Sequence, residues 1–303
     1  MVNKKLNFAA IDIGSNAVRL LIKSVAVGAS PAEMTKALLV RIPLRLGEEV
    51  FARGSVSASK EKRLLRTIKA FRLLMKVYDV TAYRACATSA MRDASNGERI
   101  ARDIHNKTGI RLEIIDGIEE ARIVYDSHIA DLFDRSGHYV YVDVGGGSTE
   151  ISLIAEGELV GSHSYDIGTV RQLTGTVEAS AFERMDRDLD ELSARWPGLK
   201  IIGSGGNINK LLRMGGGADA GVLPVETLRD IYTKLRERSV EERMEEFGLR
   251  PDRADVIIPA SEIFLDIADR LGADSIYVPT IGITDGIAHN LYARYLADMQ
   301  DDD

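Results

Sequence analysis

The chain opens with an apolar run that is broken by a polar turn and then resumes. Residues 8–13, Phe-Ala-Ala-Ile-Asp-Ile, carry one polar residue, Asp12, and the turn signal Gly14-Ser-Asn16 follows directly. Residues 17–25 then return to a mostly apolar pattern. Apolar runs of this length on either side of a glycine turn predict two strands joined by a tight connection.

The same pattern returns in the middle of the chain. Residues 139–144, Tyr-Val-Tyr-Val-Asp-Val, end around Asp143, and the turn Gly145-Gly-Gly-Ser-Thr149 leads into a second apolar run that includes Ile151. Asp12 and Asp143 therefore take the same place in two similar units. We interpret this recurrence as an internal duplication at the scale of a domain.

Elsewhere the periodicity alternates between helix and strand. Apolar residues between Leu64 and Leu74 follow the spacing of one helical face, with Ser59 as the candidate N-cap. The other predicted helices cover residues 97–108, 118–133, 177–194, 206–214, 225–237, 254–271 and 284–298, and further strands cover 80–87, 111–115, 200–202 and 275–278. Strands mixed with helices predict an α/β fold.

Composition limits the class of protein. The 303 residues suggest two domains, and 45% hydrophobic with 28% charged residues is typical of a soluble globular protein. No apolar run reaches about 18 residues, and the N-terminus lacks a signal-peptide pattern, so we expect a cytoplasmic protein without a membrane segment. A single cysteine, Cys86, excludes an intrachain disulfide. A net charge of −7 argues against nonspecific nucleic-acid binding.

The two glycine-rich turns are candidate phosphate sites. Glycine lets the backbone approach an anion closely, so that successive N–H groups converge on it. A neighbouring Asp carboxylate can hold Mg²⁺ or another divalent cation, since Mg²⁺ commonly takes one or two carboxylates plus phosphate oxygens. Two ordinary hairpin turns are the alternative interpretation, and the repetition with its Asp argues against it. Neither turn is a Walker A loop, because no Gly-Lys-Ser/Thr follows.

The ordered motifs resemble a known superfamily. Phe8–Ile22 and Val142–Glu150 resemble the two phosphate motifs of the acetate kinase, sugar kinase, Hsp70 and actin superfamily, and Ile201–Asn207 resembles its later glycine motif. Four segments are similar to motifs of the exopolyphosphatase and guanosine pentaphosphate phosphatase (Ppx/GppA) family in its short two-domain form: Asp12-Ile-Gly-Ser-Asn16, Ala87-Thr-Ser-Ala-Met-Arg92-Asp-Ala-Ser-Asn96, Gly117-Ile-Glu-Glu-Ala-Arg122 and Gly282-Ile-Thr-Asp-Gly286.

The resemblance implies two actin-like (ribonuclease H-like) α/β domains that flank an interdomain cleft. We expect residues 1–125 in the first domain and 126–303 in the second, with a C-terminal helix that can pack back on the first. The implied reaction is hydrolysis of the terminal phosphoanhydride of inorganic polyphosphate or of guanosine pentaphosphate, by a homodimer. No specific nucleic acid and no membrane partner are expected.

The resemblance also implies a catalytic glutamate in Gly117-Ile-Glu-Glu120. We assign Glu120 as the base that orients and deprotonates water, and Glu119 remains the alternative. Neighbouring helical residues point in different directions, so only one of the two can face the substrate. Glu150 is expected to act with Glu120, by positioning the water or by holding a metal ion. Asp143 and Asp12 are the metal candidates.

Arg92 is the expected phosphate-binding cation, because its planar fork suits bidentate recognition; Arg19 and Arg45 are weaker candidates. Ser and Thr residues in turns often cap their own backbone, and this is the alternative role for Ser148 and Thr149. Cys86 is interpreted as a small buried residue, and the five histidines show no metal-ligand spacing. The residues expected to bind phosphate are Gly14, Ser15, Asn16, Arg92, Gly145, Gly146, Gly147, Ser148 and Thr149.

Residues 60–76 carry seven Lys and Arg residues against the single acidic Glu61. This stripe is either the solvated face of an amphipathic helix or a track for a polyanion longer than the active site. Two other functions stay open at this stage. One is an ATP-dependent kinase of the same fold, which the motif Gly203-Ser-Gly-Gly206 would suit. The other is a non-enzymatic sensor that binds polyphosphate or an alarmone nucleotide.

Overall fold

The computed structural model describes residues 5–126, 134–279 and 281–301. Contacts within the chain divide it into two compact units, Met1–Ser127 together with Gly282–Asp303, and His128–Ile281. We call them the N-terminal and C-terminal units. The division assigns the last helix to the N-terminal unit, whereas the sequence-based boundary near residue 125 places residues 126–303 in the second domain and allows that helix to pack on the first.

The first part of the chain builds a sheet with its helices. Its elements in chain order are β1 (Lys5–Ile13), β2 (Val18–Ala26), β3 (Thr35–Ile42), α1 (Leu46–Arg53), α2 (Ala58–Val77), β4 (Val80–Ala87), α3 (Ser89–Asp93), α4 (Gly97–Thr108), β5 (Leu112–Ile114) and α5 (Gly117–Tyr125). The predicted helix over 118–133 ends at Tyr125, and residues 127–133 of that prediction lie outside the described residues.

The second part repeats this plan and extends it. Its elements are β6 (His138–Val144), β7 (Thr149–Ala155), β8 (Glu158–Tyr165), α6 (Thr169–Leu173), α7 (Ala179–Arg195), β9 (Lys200–Ser204), α8 (Gly206–Met214), β10 (Val222–Pro224), α9 (Val225–Arg236), α10 (Val240–Phe247), α11 (Pro251–Ala254), α12 (Ile257–Leu271), β11 (Ser275–Tyr277) and α13 (Ile283–Asp301). The helix predicted over 254–271 is α12, which ends at Leu271 as predicted and begins three residues later, at Ile257.

The two sheets share a topology. The first has the order β3-β2-β1-β4-β5 and the second β10-β11-β9-β6-β7-β8. In each, the first three strands are antiparallel neighbours, and the first strand also pairs with a later parallel strand, β4 or β9. β1 with β2 corresponds to β6 with β7, so the structure agrees with an internal duplication. The predicted mixed α/β class is confirmed.

The helix α2 shows why the apolar spacing predicts a helix. Its buried residues Leu64, Ile68, Phe71 and Met75 are spaced by four, three and four positions, so they lie on one face. The helix begins earlier than predicted, because Ser57 and not Ser59 is the N-cap: the Ser57 side chain accepts a hydrogen bond from the Lys60 amide. The opposite face of α2 is exposed.

The helix α13 packs on the sheet of the N-terminal unit. Tyr292 is fully buried, and its ring centroid lies 5.5 Å from that of Phe8 on β1. Its hydroxyl donates to the Ala29 carbonyl at 2.7 Å. Lys23 on β2 forms an ion pair with Asp285 at 2.9 Å, which fixes the first turn of the helix. Among the described residues, no helix is long and apolar enough to cross a membrane.

Candidate active site

The glycine turn of the C-terminal unit is closed by its own backbone. The Gly145 amide donates to the Ser148 carbonyl at 2.9 Å, which folds the turn between β6 and β7. A Cβ on Gly145 would meet that same carbonyl oxygen at 3.0 Å. A side chain at this position would therefore crowd the turn, which accounts for a glycine here.

The short helix α6 fixes the direction of the peptide groups in this turn. The amides of Thr169 and Val170 donate to the carbonyls of Gly145 and Gly146 at 3.0 and 2.8 Å, and the Arg171 side chain donates to the Gly147 carbonyl at 2.8 Å. A trans peptide places the N–H opposite the C=O. The next three amides, at residues 146–148, are therefore directed away from α6, as an anion-binding turn requires.

A second glycine allows α6 to come this close. A Cβ on Gly168 would lie 2.4 Å from the carbonyl carbon of Gly147 and 2.5 Å from its Cα. No side chain fits at that distance. The backbone of Gly168 is extended, with φ of −141°, so the requirement for glycine here is steric.

The turn of the N-terminal unit has the same construction. The Gly14 amide donates to the Ala17 carbonyl at 3.1 Å, as Gly145 does to Ser148. The carbonyls of Ser15 and Asn16 accept from the amides of Gly47 and Arg45, at the start of α1, both at 2.9 Å. α1 therefore acts on the first turn as α6 acts on the second, and the amides at residues 16 and 17 are directed to the opposite side.

A row of polar residues crosses four strands of the C-terminal unit. Asp143 on β6 is paired in register with Glu150 on β7 and with Ser204 on β9. The Ser204 hydroxyl donates to the Asp143 carboxylate at 3.4 Å, and the Ser164 hydroxyl on β8 donates to Glu150 at 2.8 Å. Residues directly opposite on antiparallel strands lie on the same face, with Cβ atoms about 4.5–5.5 Å apart. Two carboxylates thus stand side by side next to the turn.

The N-terminal unit has a different charge in the equivalent place. Asp12 is paired in register with Arg19, which takes the position that Glu150 holds in the other unit. The Arg19 guanidinium donates to the Asp12 carboxylate at 2.7 Å. Burial nevertheless raises the pKa of Asp12 above its ordinary value, because the loss of hydration outweighs the attraction of Arg19.

The two units differ in how well they suit a divalent cation. Like charges directly opposite on neighbouring strands repel each other, and a cation between Asp143 and Glu150 would relieve that repulsion. Their oxygens are the hard donors that Mg²⁺ takes. Asp12 already has an internal counter-ion in Arg19, so the geometry supports it less as a ligand. Within residues 5–126, 134–279 and 281–301, no group of three or more His, Cys, Asp or Glu could hold a metal ion by itself.

The first turn of α5 distinguishes the two adjacent glutamates. The Glu119 carboxylate accepts from Arg84 on β4 at 3.0 Å, and the same guanidinium also binds Glu113 at 2.9 Å. The Glu119 amide donates to the side chain of Asp116, the N-cap of the helix. Glu119 therefore has a structural role in joining α5 to the sheet. The side chain of Glu120, which is half-buried, projects from the helix in a different direction.

The pKa of the Cys86 thiol reflects the charges around it. Burial raises the pKa of the Cys86 thiol to about 12, Arg84 opposes that rise, and the carboxylates of Glu113, Asp12 and Glu120 add to it. Asp12 is the register partner of Cys86 across β1 and β4. β5 is parallel to β4, and α5 follows β5, so the first turn of α5 with Glu120 lies at the carboxyl edge of this sheet. The thiol is fully buried and protonated, which agrees with its interpretation as a packing residue.

Arg92 and the first turn also meet at this edge. The strands β1, β4 and β5 are parallel, so their carboxyl ends and the segments that follow them share one edge of the sheet. The hydroxyls of Ser15 and Ser89 lie 2.8 Å apart. Arg92, on the same short helix α3, donates to the Ile115 carbonyl at 3.0 Å and keeps 27% of its side chain exposed.

The structure gives two sequence-predicted side chains other partners and buries a third. The Thr149 hydroxyl is fully buried and donates to the Ile167 carbonyl at 2.6 Å, so it anchors the turn and has no proton to offer a phosphate. Arg45 forms an ion pair with Glu48 at 2.6 Å, and its backbone supports the first turn. Ser148 is buried. Phosphate contacts at the second turn are therefore expected mainly through backbone amides.

The helices α1 and α6, with their contact glycines, were not predicted from the sequence. A Cβ on Gly47 would meet the Ser15 Cβ at 3.0 Å, as one on Gly168 would meet Gly147. Each repeat therefore carries a second glycine beyond its third strand. Comparison of the two halves of the sequence could have revealed that Gly47 and Gly168 are equivalent. The contact of Arg84 with Glu119, in contrast, has no local signal in the sequence.

The comparisons with known proteins agree with this geometry. The model of the Ppx/GppA phosphatase family matches residues 31–294. Exopolyphosphatase 2 of Mycobacterium tuberculosis is 30% identical over 314 residues, which cover 93% of this chain and 98% of that protein.

Solved structures give the same result. The Ppx/GppA family member of Aquifex aeolicus has a TM-score of 0.77 and 26% identity, covering 96% of this chain and 99% of its own. An exopolyphosphatase from Cytophaga hutchinsonii has a TM-score of 0.83 over 95% of this chain and 98% of its own, and at 21% identity it shows the shared fold. From its motifs, its duplicated turns and these matches, the chain belongs to the Ppx/GppA phosphatase family.

Proposed function

We propose that the protein is an exopolyphosphatase, which hydrolyses the terminal phosphoanhydride of inorganic polyphosphate and releases phosphate. The observation that carries the proposal is the duplicated glycine turn, whose amides are aimed by α1 and α6. Relatives named exopolyphosphatase, matched over 98% and 80% of their lengths, support the same activity. Hydrolysis is therefore favoured over the kinase and sensor alternatives.

Backbone amides and Arg92 bind the phosphate groups. Amides oriented by the fold stabilise the charge that develops on phosphate oxygens, and they need no rearrangement during the reaction. Nη1 of Arg92 donates to the Ile115 carbonyl, and its Nε lies 3.9 Å from the Asp93 carboxylate. The side chain is 27% exposed, so its remaining N–H groups can bind an anion. Its fork suits two oxygens of one phosphate group.

Glu120 acts as the base for the attacking water. Glu119 is held in an ion pair with Arg84, whereas Glu120 points elsewhere from the first turn of α5, which follows the carboxyl end of β5. A carboxylate in hydrogen-bond reach of a water directs it at the terminal phosphorus and accepts its proton as the P–O bond forms. The leaving group is the shortened polyphosphate chain.

Asp143 and Glu150 would hold Mg²⁺ or another divalent cation. When bound, the cation neutralises charge on the phosphate oxygens. The Ser164 hydroxyl orients Glu150, and the Ser204 hydroxyl, which also donates to the Ile281 carbonyl, lies 3.4 Å from the Asp143 carboxylate. This assignment gives Glu150 a role in binding the cation together with Asp143.

The experiment compares phosphate release from medium-chain polyphosphate by the wild type, Glu120→Gln and Glu119→Gln. The two variants remove one carboxylate each from neighbouring positions, so they are matched controls. We expect Glu120→Gln to lose at least about 100-fold in kcat, the range of a general base, and Glu119→Gln to keep most of it. Equal activity in Glu120→Gln and the wild type would refute the assignment of the base.

Guanosine pentaphosphate is tested as a second substrate in the same assay. We propose it because its terminal bond is the same anhydride and because the family includes phosphatases of both kinds. A homodimer is likewise proposed from the family resemblance, and analytical ultracentrifugation checks it. Activity on neither substrate by the wild type would reject the proposed function.

A further inference from the structure

The exposed face of α2 concentrates positive charge along one helix. We call the α2 basic face the six exposed cations Lys62, Arg63, Arg66, Lys69, Arg72 and Lys76. At 1.5 Å per residue, the face extends about 21 Å from its first to its last cation. It belongs to a chain with a net charge of −7, so the charge is local.

The cations of this face have no acidic partner within the described part of the chain. Glu61, the one acidic residue of α2, is bound by Arg99 at 2.6 Å instead. Lys60 is turned to Glu48, at 3.3 Å, and is not part of the face. The basic face is therefore not neutralised by its own protein.

The spacing of the face costs helix stability. Lys62 and Arg66, Arg66 and Lys69, and Lys69 and Arg72 are neighbours at three or four positions, where like charges destabilise a helix. A helix face that only has to be solvated can carry charges of either sign, so it would tolerate glutamates between the cations. A run of one sign fits a partner with a regular line of negative charges.

We propose that the α2 basic face binds the distal part of a long polyphosphate chain, as an accessory site for the substrate. The proposal rests on the proposed function. Polyphosphate carries a negative charge on every unit, so it can pair with all six cations at once, as linear polyanions do by releasing their counterions. Single-stranded RNA is the competing polyanion, and the test includes it.

The test uses the triple variant Arg66→Gln, Lys69→Gln, Arg72→Gln. The matched control removes three exposed cations scattered over the C-terminal unit: Arg187→Gln, Lys234→Gln and Arg250→Gln. Steady-state kinetics are measured with long-chain polyphosphate and with tripolyphosphate, which is too short to reach beyond the active site and along the face. Thermal unfolding checks the fold of both variants.

We expect KM for the long chain to rise roughly eightfold in the α2 variant, from about a factor of two for each of three lost surface ion pairs. KM for tripolyphosphate and kcat stay unchanged, and the control keeps both KM values. The slope of log KM against log salt for the long chain falls by about two. An equal change for both chain lengths, an equal effect of the control, or no effect would overturn the proposal.

Binding of labelled long-chain polyphosphate to the Glu120→Gln protein separates the two proposals. Loss of that binding in the α2 variant supports the accessory site even if the wild type shows no hydrolysis, which would reject only the proposed function. Binding that is unaffected by the α2 substitutions, or that single-stranded RNA displaces more effectively than unlabelled polyphosphate does, overturns the accessory site.

Discussion

The contact between Gly168 and the second turn gives the sharpest test of the proposed phosphate site. The substitution Gly168→Ala adds one methyl group at the start of α6. Its Cβ would lie 2.4 Å from the carbonyl carbon of Gly147, and ordinary van der Waals contact begins near 3.4 Å. The difference means that the turn and α6 must separate by about 1 Å.

That displacement is large on the scale of catalysis. A shift of about 1 Å in a positioning group lowers a rate by roughly 100-fold, because the aimed amides no longer meet the developing charge. Overpacking of this kind also destabilises a protein by about 1–3 kcal/mol. We therefore expect kcat to fall about 100-fold, while the protein remains folded.

The assay is the initial rate of phosphate release from polyphosphate, with thermal unfolding as the check on folding. Gly161→Ala is the matched control, since Gly161 lies on β8 of the same unit and its Cβ would meet nothing within 4 Å. This control is expected to keep wild-type kcat. Wild-type kcat in Gly168→Ala would show that the second turn does not position phosphate.

Two further predictions follow from the N-terminal unit. Gly286→Ala would place a Cβ 2.2 Å from the Ile123 carbonyl oxygen, which displaces α5 and with it Glu120. kcat is expected to fall well below that of the wild type, and unchanged steady-state kinetics would contradict the role of α5. Cys86, whose pKa burial raises to about 12 from 9.0, is thiolate in only a very small fraction of folded molecules near neutral pH. At about pH 8 its reaction with a disulfide reagent should be at least about 1,000-fold slower in the folded than in the unfolded protein, and a fast native reaction would contradict the burial.

The sequence predicts the central strands well and the edge elements poorly. β1, β6 and β7 are buried on both faces, so their runs of apolar residues are visible in the sequence. β3 has no fully buried residue and carries Lys36 and Arg41 among its apolar residues, which blurs the alternation. α6 has five residues, which is too short for a helical period to appear.

The candidate site, too, is predicted from the sequence only in part. Asp143, Glu150 and the glycine turn between them are visible in the sequence, and the register of β6 and β7 places the two carboxylates opposite each other. The choice between Glu119 and Glu120 depends on Arg84, which is 35 positions away from Glu119, so only the structure brings them together. Long-range contacts of this kind leave no periodic trace in a single sequence.

The duplicated strand pair also has a consequence for the charge beside the two turns. One scaffold position, directly across from the strand-ending Asp, holds Arg19 in one copy and Glu150 in the other. That position thus places a cation beside the strand-ending Asp in one copy and a second carboxylate beside it in the other, so the two hairpins differ in formal charge next to their glycine turns.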